Sequence, residues 1–213
     1  FFGAAELHFA AKRSIIVPAP NGYFLYCITT VMIVKKISAR EGLFSMLTNY
    51  HTHTTRCGHA EGTEEEYILT ALRCGYKVLG FSDHTPWAYA TPGFVSHIRM
   101  LPAQLDDYVL TLRSLREKYA DRLHLHIGLE AEYFPAYLGW LKEETERLGI
   151  EYLILGCHYD TTDEQDAKAR RFGGSASPAH GRRYAEQVEQ ALETGLYRYL
   201  AHPDLFLNRM TAF

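Results

Sequence analysis

The stretch Asn49-Tyr50-His51-Thr52-His53-Thr54-Thr55-Arg56-Cys57-Gly58-His59-Ala60-Glu61-Gly62-Thr63-Glu64-Glu65-Glu66 sets three histidines close together near the start of an alternating strand and helix pattern. His51 and His53 stand two apart, and residues i and i+2 of an extended strand share a face, so both imidazoles converge on one point. His59 follows in a loop that can fold back toward them. Three imidazoles so placed suit a divalent transition metal such as zinc, manganese or iron. A lone His-x-His pair is equally well explained by an exposed strand. What gives this one weight is that later strands end in further candidate ligands.

Residues 47–51 read as the first strand. Thr63 and Glu66 form a capping box, and Tyr67, Ile68, Ala71 and Leu72 recur at helical spacing before Gly75, where a C-terminal cap belongs. Residues 78–82 predict a short buried strand running into Asp83 and His84. Residues 85–99, with Pro86, Pro92 and Gly93, predict a loop. Pro102 opens a helix to about residue 119 that carries Leu105, Val109, Leu112 and Leu115 on one stripe. A third strand over 123–127 leads to Glu130, and a helix covers about 136–148. A fourth strand over 152–156 leads to Cys157 and His158. Residues 160–181 form a long polar loop, a candidate lid or substrate loop. A helix over about 182–193 and a fifth strand over 197–201 precede His202.

Repeated strand–helix units imply an α/β fold with a parallel sheet and right-handed crossovers. A barrel is favoured over a doubly wound sheet. His51 and His53, His84, Glu130, His158 and His202 all fall at the C-terminal ends of successive strands, the rim where barrels collect side chains from many strands. A doubly wound sheet gathers its site at one switch point. Neither common Gly-rich phosphate loop occurs. Five strands are too few to close a barrel, so the barrel is expected to be truncated at the C-terminus.

The chain of 213 residues is long enough for one domain with a substantial core, and its apolar and charged fractions of 47% and 22% are those of an ordinary globular protein. A net charge of −3 and a pI near 6.4 argue against a nucleic-acid-binding surface. Cys27, Cys57, Cys74 and Cys157 show no C-x-x-C pair, which fits a reducing compartment, with the cytoplasm as the default. Residues 1–45 differ from the rest. Their apolar run over 23–34 is too short to span a bilayer and lacks a following cleavage site. They read as an extension outside the fold, with the catalytic domain over 46–213. A membrane-proximal segment is the alternative.

With these residues assembled, the chain resembles the polymerase-and-histidinol-phosphatase (PHP) family, and within it the histidinol-phosphatase branch. The resemblance is carried, in order, by Y-H-T-H-T, C-G-H-A-E-G-T, F-S-D-H-T-P, G-L-E-A-E-Y, L-G-C-H and L-A-H-P-D-L, with F-V-S-H-I-R-M over 94–100 pointing to the phosphatase branch. It implies a distorted (β/α)7 TIM-like barrel with up to three metal ions at the C-terminal rim. Carried over by motif, His51, His53 and Glu130 would bind the first metal. Glu130 would bridge to a second, also held by His158 and His202, and His59 with His84 would bind the third. The family adds an Asp and a His from a late Asp-x-His pair, which this sequence does not contain. The first and third metals would then each lack a ligand.

Two or three divalent ions in such a cluster would supply an activated hydroxide and clamp phosphoryl oxygens, with His51, His53, Glu130 and His158 implied as the residues holding the ions that carry it. Neutral imidazoles and one carboxylate around three dications leave a charge of roughly +5, which draws a phosphate monoester. For the branch resembled, the substrate is L-histidinol phosphate in histidine biosynthesis. Arg99 is the candidate for the substrate phosphate, with Arg170, Arg171, Arg182 and Arg183 as alternates. Glu132 projects to the same side as Glu130 and competes with it as ligand or supports it from behind. Asp83 and Asp204 are candidate partners of metal-bound imidazoles. Cys57 and Cys157 adjoin the site, Cys157 as a small buried residue. His8, His97, His124, His126 and His180 are assigned no role. The alternatives are another PHP phosphoesterase acting on small esters or nucleotides, an amidohydrolase-type barrel (for which a bridging Lys is missing) and an inactive fragment. The sequence sets no oligomeric state.

Overall fold

The computed structural model describes residues 47–164, 171–173 and 177–207, together with strands β1 (Val17–Pro18) and β2 (Phe24–Leu25), which pair antiparallel in a sheet of their own. The remainder of the 1–45 segment, including His8, lies outside the described residues, as does Arg170. Among the described residues no helix is long and apolar enough to cross a membrane.

The body is a parallel sheet of five strands: β3 (Thr48–Asn49), β4 (Val78–His84), β5 (His124–Ala131), β6 (Tyr152–Leu155) and β7 (Tyr199–Leu200). They are hydrogen-bonded in chain order, each parallel to the next. A doubly wound sheet needs its strand order to reverse at a switch point. No reversal occurs here, and the sheet is an arc of a barrel, as the placement of candidate ligands suggested.

Side-chain alternation divides the strands cleanly. Leu79 and Phe81 of β4, Leu125, Ile127 and Leu129 of β5, and Leu153 and Leu155 of β6 face the helices. They form one core with Ile68 and Ala71 of α1 (Glu64–Arg73), Leu105, Val109 and Leu112 of α2 (Leu105–Lys118), Leu141 of α3 (Leu138–Leu148), and Tyr184 and Ala191 of α4 (Pro178–Glu193). The opposite face carries Gly80, Ser82 and His84 on β4, Gly128 and Glu130 on β5, and Tyr152 and Ile154 on β6. Tyr152 fills the floor of this concave face, donating its hydroxyl to the carbonyls of Tyr50 at 2.7 Å and Phe81 at 3.1 Å. Gly80 and Gly128 are glycines because a Cβ at either would overlap the Tyr152 side chain.

The helices begin where the sequence marks them. The Thr63 side chain accepts from the Glu66 N–H at 3.2 Å, and Glu66 accepts the Thr63 N–H at 2.7 Å, completing the capping box of α1. Gly75 adopts φ +83° just beyond the helix. Helix α2 is entered through a 3-10 turn at Pro102–Gln104. Other boundaries differ from the sequence reading. Strand β5 runs on through Glu130 to Ala131, because its inward carboxylate is paired with imidazoles instead of being released to water. Strands β3 and β7 are each only two residues long. Helix α4 starts at Pro178, four residues before the expected start, with proline in the first turn, where its missing N–H costs nothing.

Candidate metal centre

Register brings the inward residues of neighbouring strands side by side at the rim. His84 pairs with Glu130 across β4 and β5, and Glu130 pairs with Ile154 across β5 and β6. Glu130 is 1% exposed and stands at the centre of the cluster. Its Oε2 lies 3.1 Å from His51 Nε2, 3.3 Å from His53 Nε2 and 3.3 Å from His84 Nδ1. Its Oε1 lies 2.9 Å from His202 Nε2 and 3.6 Å from His158 Nε2. Five imidazoles from four separate stretches of chain therefore share one carboxylate, with the His51/His53/His84 set on one oxygen and the His158/His202 set on the other.

Each ligand is set by its local chain. The His51 N–H donates to Asn49 Oδ1 at 3.0 Å just past β3, and His53 follows after one intervening residue. His59 is returned toward the cluster by a short 3-10 turn, Thr55–Cys57, closed by Gly58 at φ +73°. Its Nδ1–H donates to the Cys57 carbonyl at 2.9 Å, so its Nε2 is free of the proton. The His59 ring centroid lies 4.7 Å from that of His84 and 5.6 Å from that of His53. His202 takes φ +34°, a left-handed conformation sparsely populated by non-glycine residues, and thereby reaches Glu130 from the end of β7.

Support comes from behind. Asp83 projects to the helix side of β4, where it accepts the Thr54 N–H and the Thr54 hydroxyl, each at 2.5 Å, pinning the His-x-His segment. Its Oδ1 lies 3.9 Å from His53 Nδ1, and Cys57 Sγ lies 3.4 Å from the same nitrogen. Burial, followed by the Asp83 charge, pushes the Cys57 thiol up to about 12, and ligand atoms of His53, Cys57 and Asp83 lie within 4.8 Å of one another. Glu132, a rival to Glu130 on sequence grounds, takes the supporting place. Its Oε1 accepts from His158 Nδ1 at 2.7 Å and its Oε2 from the His158 N–H at 2.9 Å. Asp204, by contrast, has no hydrogen bond to a site histidine among those seen in the described residues.

The donor set fits divalent metal ions. Burial holds His84 well below the ordinary imidazole value. It lowers His59 and His202 as well, the nearby His53 adding to the effect at His59. Neutral imidazole is the form that ligates. Burial alone would raise Glu130, but His84, His51 and His158 and the hydrogen bond from His202 hold it well below the usual carboxylate range, so it is anionic. His51 Nε2 and His53 Nε2 approach to 3.1 Å, a distance at which one ring N–H donates to the other nitrogen or a cation is shared between them. His84 Nδ1 is buried without a hydrogen-bond partner among the described residues. Ligand atoms of His51, His53 and Glu130, and of His84, Glu130 and His158, lie within 4.8 Å of one another. The second group places His84 with Glu130 and His158, whereas the motif carry-over placed it with His59.

Arg99 departs furthest from expectation. Its side chain is 1% exposed, and two of its nitrogens are held by carboxylates: Nη2 by Glu132 Oε1 at 2.9 Å and Nε by Asp163 Oδ2 at 3.2 Å. A guanidinium waiting at an open mouth for phosphate is not what the chain presents. Among the alternates, Arg171, Arg182 and Arg183 are exposed, and Arg183 Nε donates to Asp160 at 2.6 Å. The sequence reading also passes over Gly156. A Cβ there would fall 2.6 Å from Glu130 Oε1 and 2.8 Å from His158 Cε1, so only glycine leaves room for the central carboxylate.

Comparison with known proteins identifies the family. The family model described as the PHP domain matches residues 49–211. A protein of Deinococcus radiodurans named "Probable histidinol-phosphatase" is 32% identical over 169 residues, covering 75% of this chain and 61% of that protein. One of the same name from Schizosaccharomyces pombe is 29% identical over 115 residues, covering 51% of this chain and 38% of that protein. The chain thus spans less than two thirds of the length of either curated relative. Two solved structures share the fold. One, from Listeria monocytogenes and assigned as a histidinol phosphatase, has a TM-score of 0.60 at 21% identity over 75% of this chain and 67% of that one. The other is the histidinol phosphate phosphatase of Lactococcus lactis, solved with zinc, L-histidinol and phosphate, with a TM-score of 0.54 at 18% identity over 74% of this chain and 57% of that one. With the family match running from the first strand through the His202 segment, this chain belongs to the PHP domain family.

Proposed function

We propose that this chain carries the metal centre of a phosphatase that hydrolyses L-histidinol phosphate to L-histidinol and inorganic phosphate. The observation that carries the reading is the convergence of five imidazoles on the two oxygens of one buried carboxylate. His51, His53 and Glu130 would hold one divalent ion, Glu130 with His158 and His202 a second, and His84 with His59 lies beside both, in position to take part in a third. Zinc, manganese and iron all suit such donors. When bound, the ions supply an activated water and a positive clamp for the phosphoryl oxygens. Burial in the chain holds His59, His84 and His202 below the ordinary imidazole value, the surrounding histidines keep Glu130 anionic, Asp83 anchors the His-x-His segment, and Glu132 orients His158. The names of the Deinococcus and Schizosaccharomyces relatives and the zinc, histidinol and phosphate of the Lactococcus structure support this substrate. A small phosphate monoester is the fitting partner, and the net charge of −3 is unfavourable for a nucleic-acid substrate.

The test is phosphate release by the purified chain reconstituted in turn with Zn²⁺, Mn²⁺ and Fe²⁺, offered L-histidinol phosphate or nucleoside monophosphates. Metal-dependent release with preference for L-histidinol phosphate is expected. Preference for the nucleotides would favour the alternative of another PHP phosphoesterase. No release with any ion would overturn the phosphatase reading for this chain.

A further inference from the structure

Arg99 is fully charged at any physiological pH and is buried, which demands charged partners. It has two, on different segments. Glu132 comes from the chain just beyond β5, two residues past the central Glu130, and Asp163 from the segment after β6. Asp163 is itself clasped by the Tyr89 hydroxyl and by Ser96 Oγ, the latter at 2.8 Å. The Arg99 guanidinium also lies over the Phe134 ring, 5.7 Å from its centroid. Glu132 is thereby held on both sides, by Arg99 Nη2 at 2.9 Å and by His158 Nδ1 at 2.7 Å, both on the same Oε1. With Oε2 committed to the His158 backbone N–H, the carboxylate has no freedom to rotate away from the imidazole. With Nδ1–H donated to Glu132, His158 Nε2 is turned toward Glu130 Oε1, 3.6 Å away, where its lone pair would meet a bound cation.

We propose that Arg99 and Glu132 are a positioning pair for the metal centre: Arg99 clamps Glu132, and Glu132 orients His158 toward the site. The proposal rests on the metal-centre reading above. It assigns Arg99 a different task from the phosphate contact expected from sequence, and the two tasks separate experimentally. Arg99 Nη1 has no acceptor among the described residues, so a phosphate role would act through that nitrogen alone.

The experiment is titration of the full chain and its Arg99→Lys and Glu132→Gln variants with Co²⁺, following the visible d–d absorption, together with inorganic phosphate binding to the Co²⁺-loaded proteins. A lysine offers one point charge where the guanidinium holds two carboxylates in a fixed fork. Glutamine keeps the shape of Glu132 with only one acceptor oxygen. For both variants the expected result is a Co²⁺ affinity weaker by on the order of 10- to 100-fold at one site and an altered d–d spectrum, with phosphate affinity of the loaded protein within about twofold of the parent. Parent-like Co²⁺ affinity and spectrum in a folded Arg99→Lys protein would overturn the proposal, and a weakened phosphate affinity alongside would reinstate the phosphate role. Should Arg99→Lys fail to fold, Glu132→Gln decides by the same two readouts. If the parent itself takes up no Co²⁺, the metal-centre reading falls and this proposal with it, an outcome distinct from a defect confined to the variants.

Discussion

Gly156 shows how a residue with no side chain can define a metal centre. It follows β6 on the concave side, and Glu130 Oε1 and Cγ occupy the space into which a Cβ would project, at 2.6 and 2.7 Å. Glu130 cannot simply swing aside, because His202 fixes Oε1 at 2.9 Å and three other imidazoles crowd Oε2. Gly156→Ala is therefore expected to displace the carboxylate, with an overpacking cost of about 1–3 kcal/mol and the loss of at least one bound ion per chain. Metal analysis of the purified variant beside the parent, with thermal melting of both, checks this. A variant with parental metal content would show that the carboxylate has more room than its contacts indicate. In sequence, the L-G-C-H motif draws attention to its histidine and not to its glycine, because close approach between strands leaves no mark on a single strand. Arg99 is the converse case. Its sequence setting reads as a surface loop with a spare cation, and the two carboxylates that bury it lie 33 and 64 positions away.

At the scale of elements, local signals are legible where local chemistry is sufficient. The capping box of α1 needs only Thr63 and Glu66, and the helix starts there. The hydrogen bonds of the box join only Thr63 and Glu66 and reach no candidate ligand, so Thr63→Ala is expected to cost about 1 kcal/mol of stability and to leave metal uptake unchanged. Denaturant unfolding and a metal titration of the same variant test the two halves of that statement, and reduced metal uptake would mean that α1 also braces the His59 loop. Strand ends are legible only in part. Glu130 looks like the point at which β5 should surrender to water, yet the strand continues beneath it to Ala131. The deciding interactions are with His51, His84 and His202, which no window of β5 contains. Parity still sorts the faces: Gly128 and the candidate ligand Glu130 share the concave side, while Ile127 and Leu129 join the core beneath the helices. The floor under the site is hidden for the same reason as Gly156. Gly80 and Gly128 read as weak points in their strands until the Tyr152 ring is seen to occupy the space above them.

Across the whole molecule, the winding of the sheet turns residues dispersed between His51 and His202 into one crowded mouth. Parallel pairing delivers every strand's C-terminal end to the same edge, and the chain-order sequence of strands sets those ends side by side along the arc. The result is a pocket of imidazole nitrogens, with His51 Nε2 and His53 Nε2 3.1 Å apart, in which burial holds His84 and His202 below the ordinary imidazole value. Ions that bind this assembled mouth and not the unfolded chain stabilise the fold by mass action. At a free metal concentration about 1,000 times the dissociation constant this amounts to about 4 kcal/mol. At about 2–4 °C per kcal/mol for a domain of this size, chelation should lower the melting temperature by about 8–16 °C, and Zn²⁺ should restore it. Glu130→Gln is the necessary control, because exposed histidines outside the cluster, such as His124, can also take up zinc. The shift should vanish in that variant, whose central side chain no longer carries the charge that two ions would share. A shift of equal size in Glu130→Gln would place the stabilising ions elsewhere on the surface and detach the fold's stability from the histidine cluster.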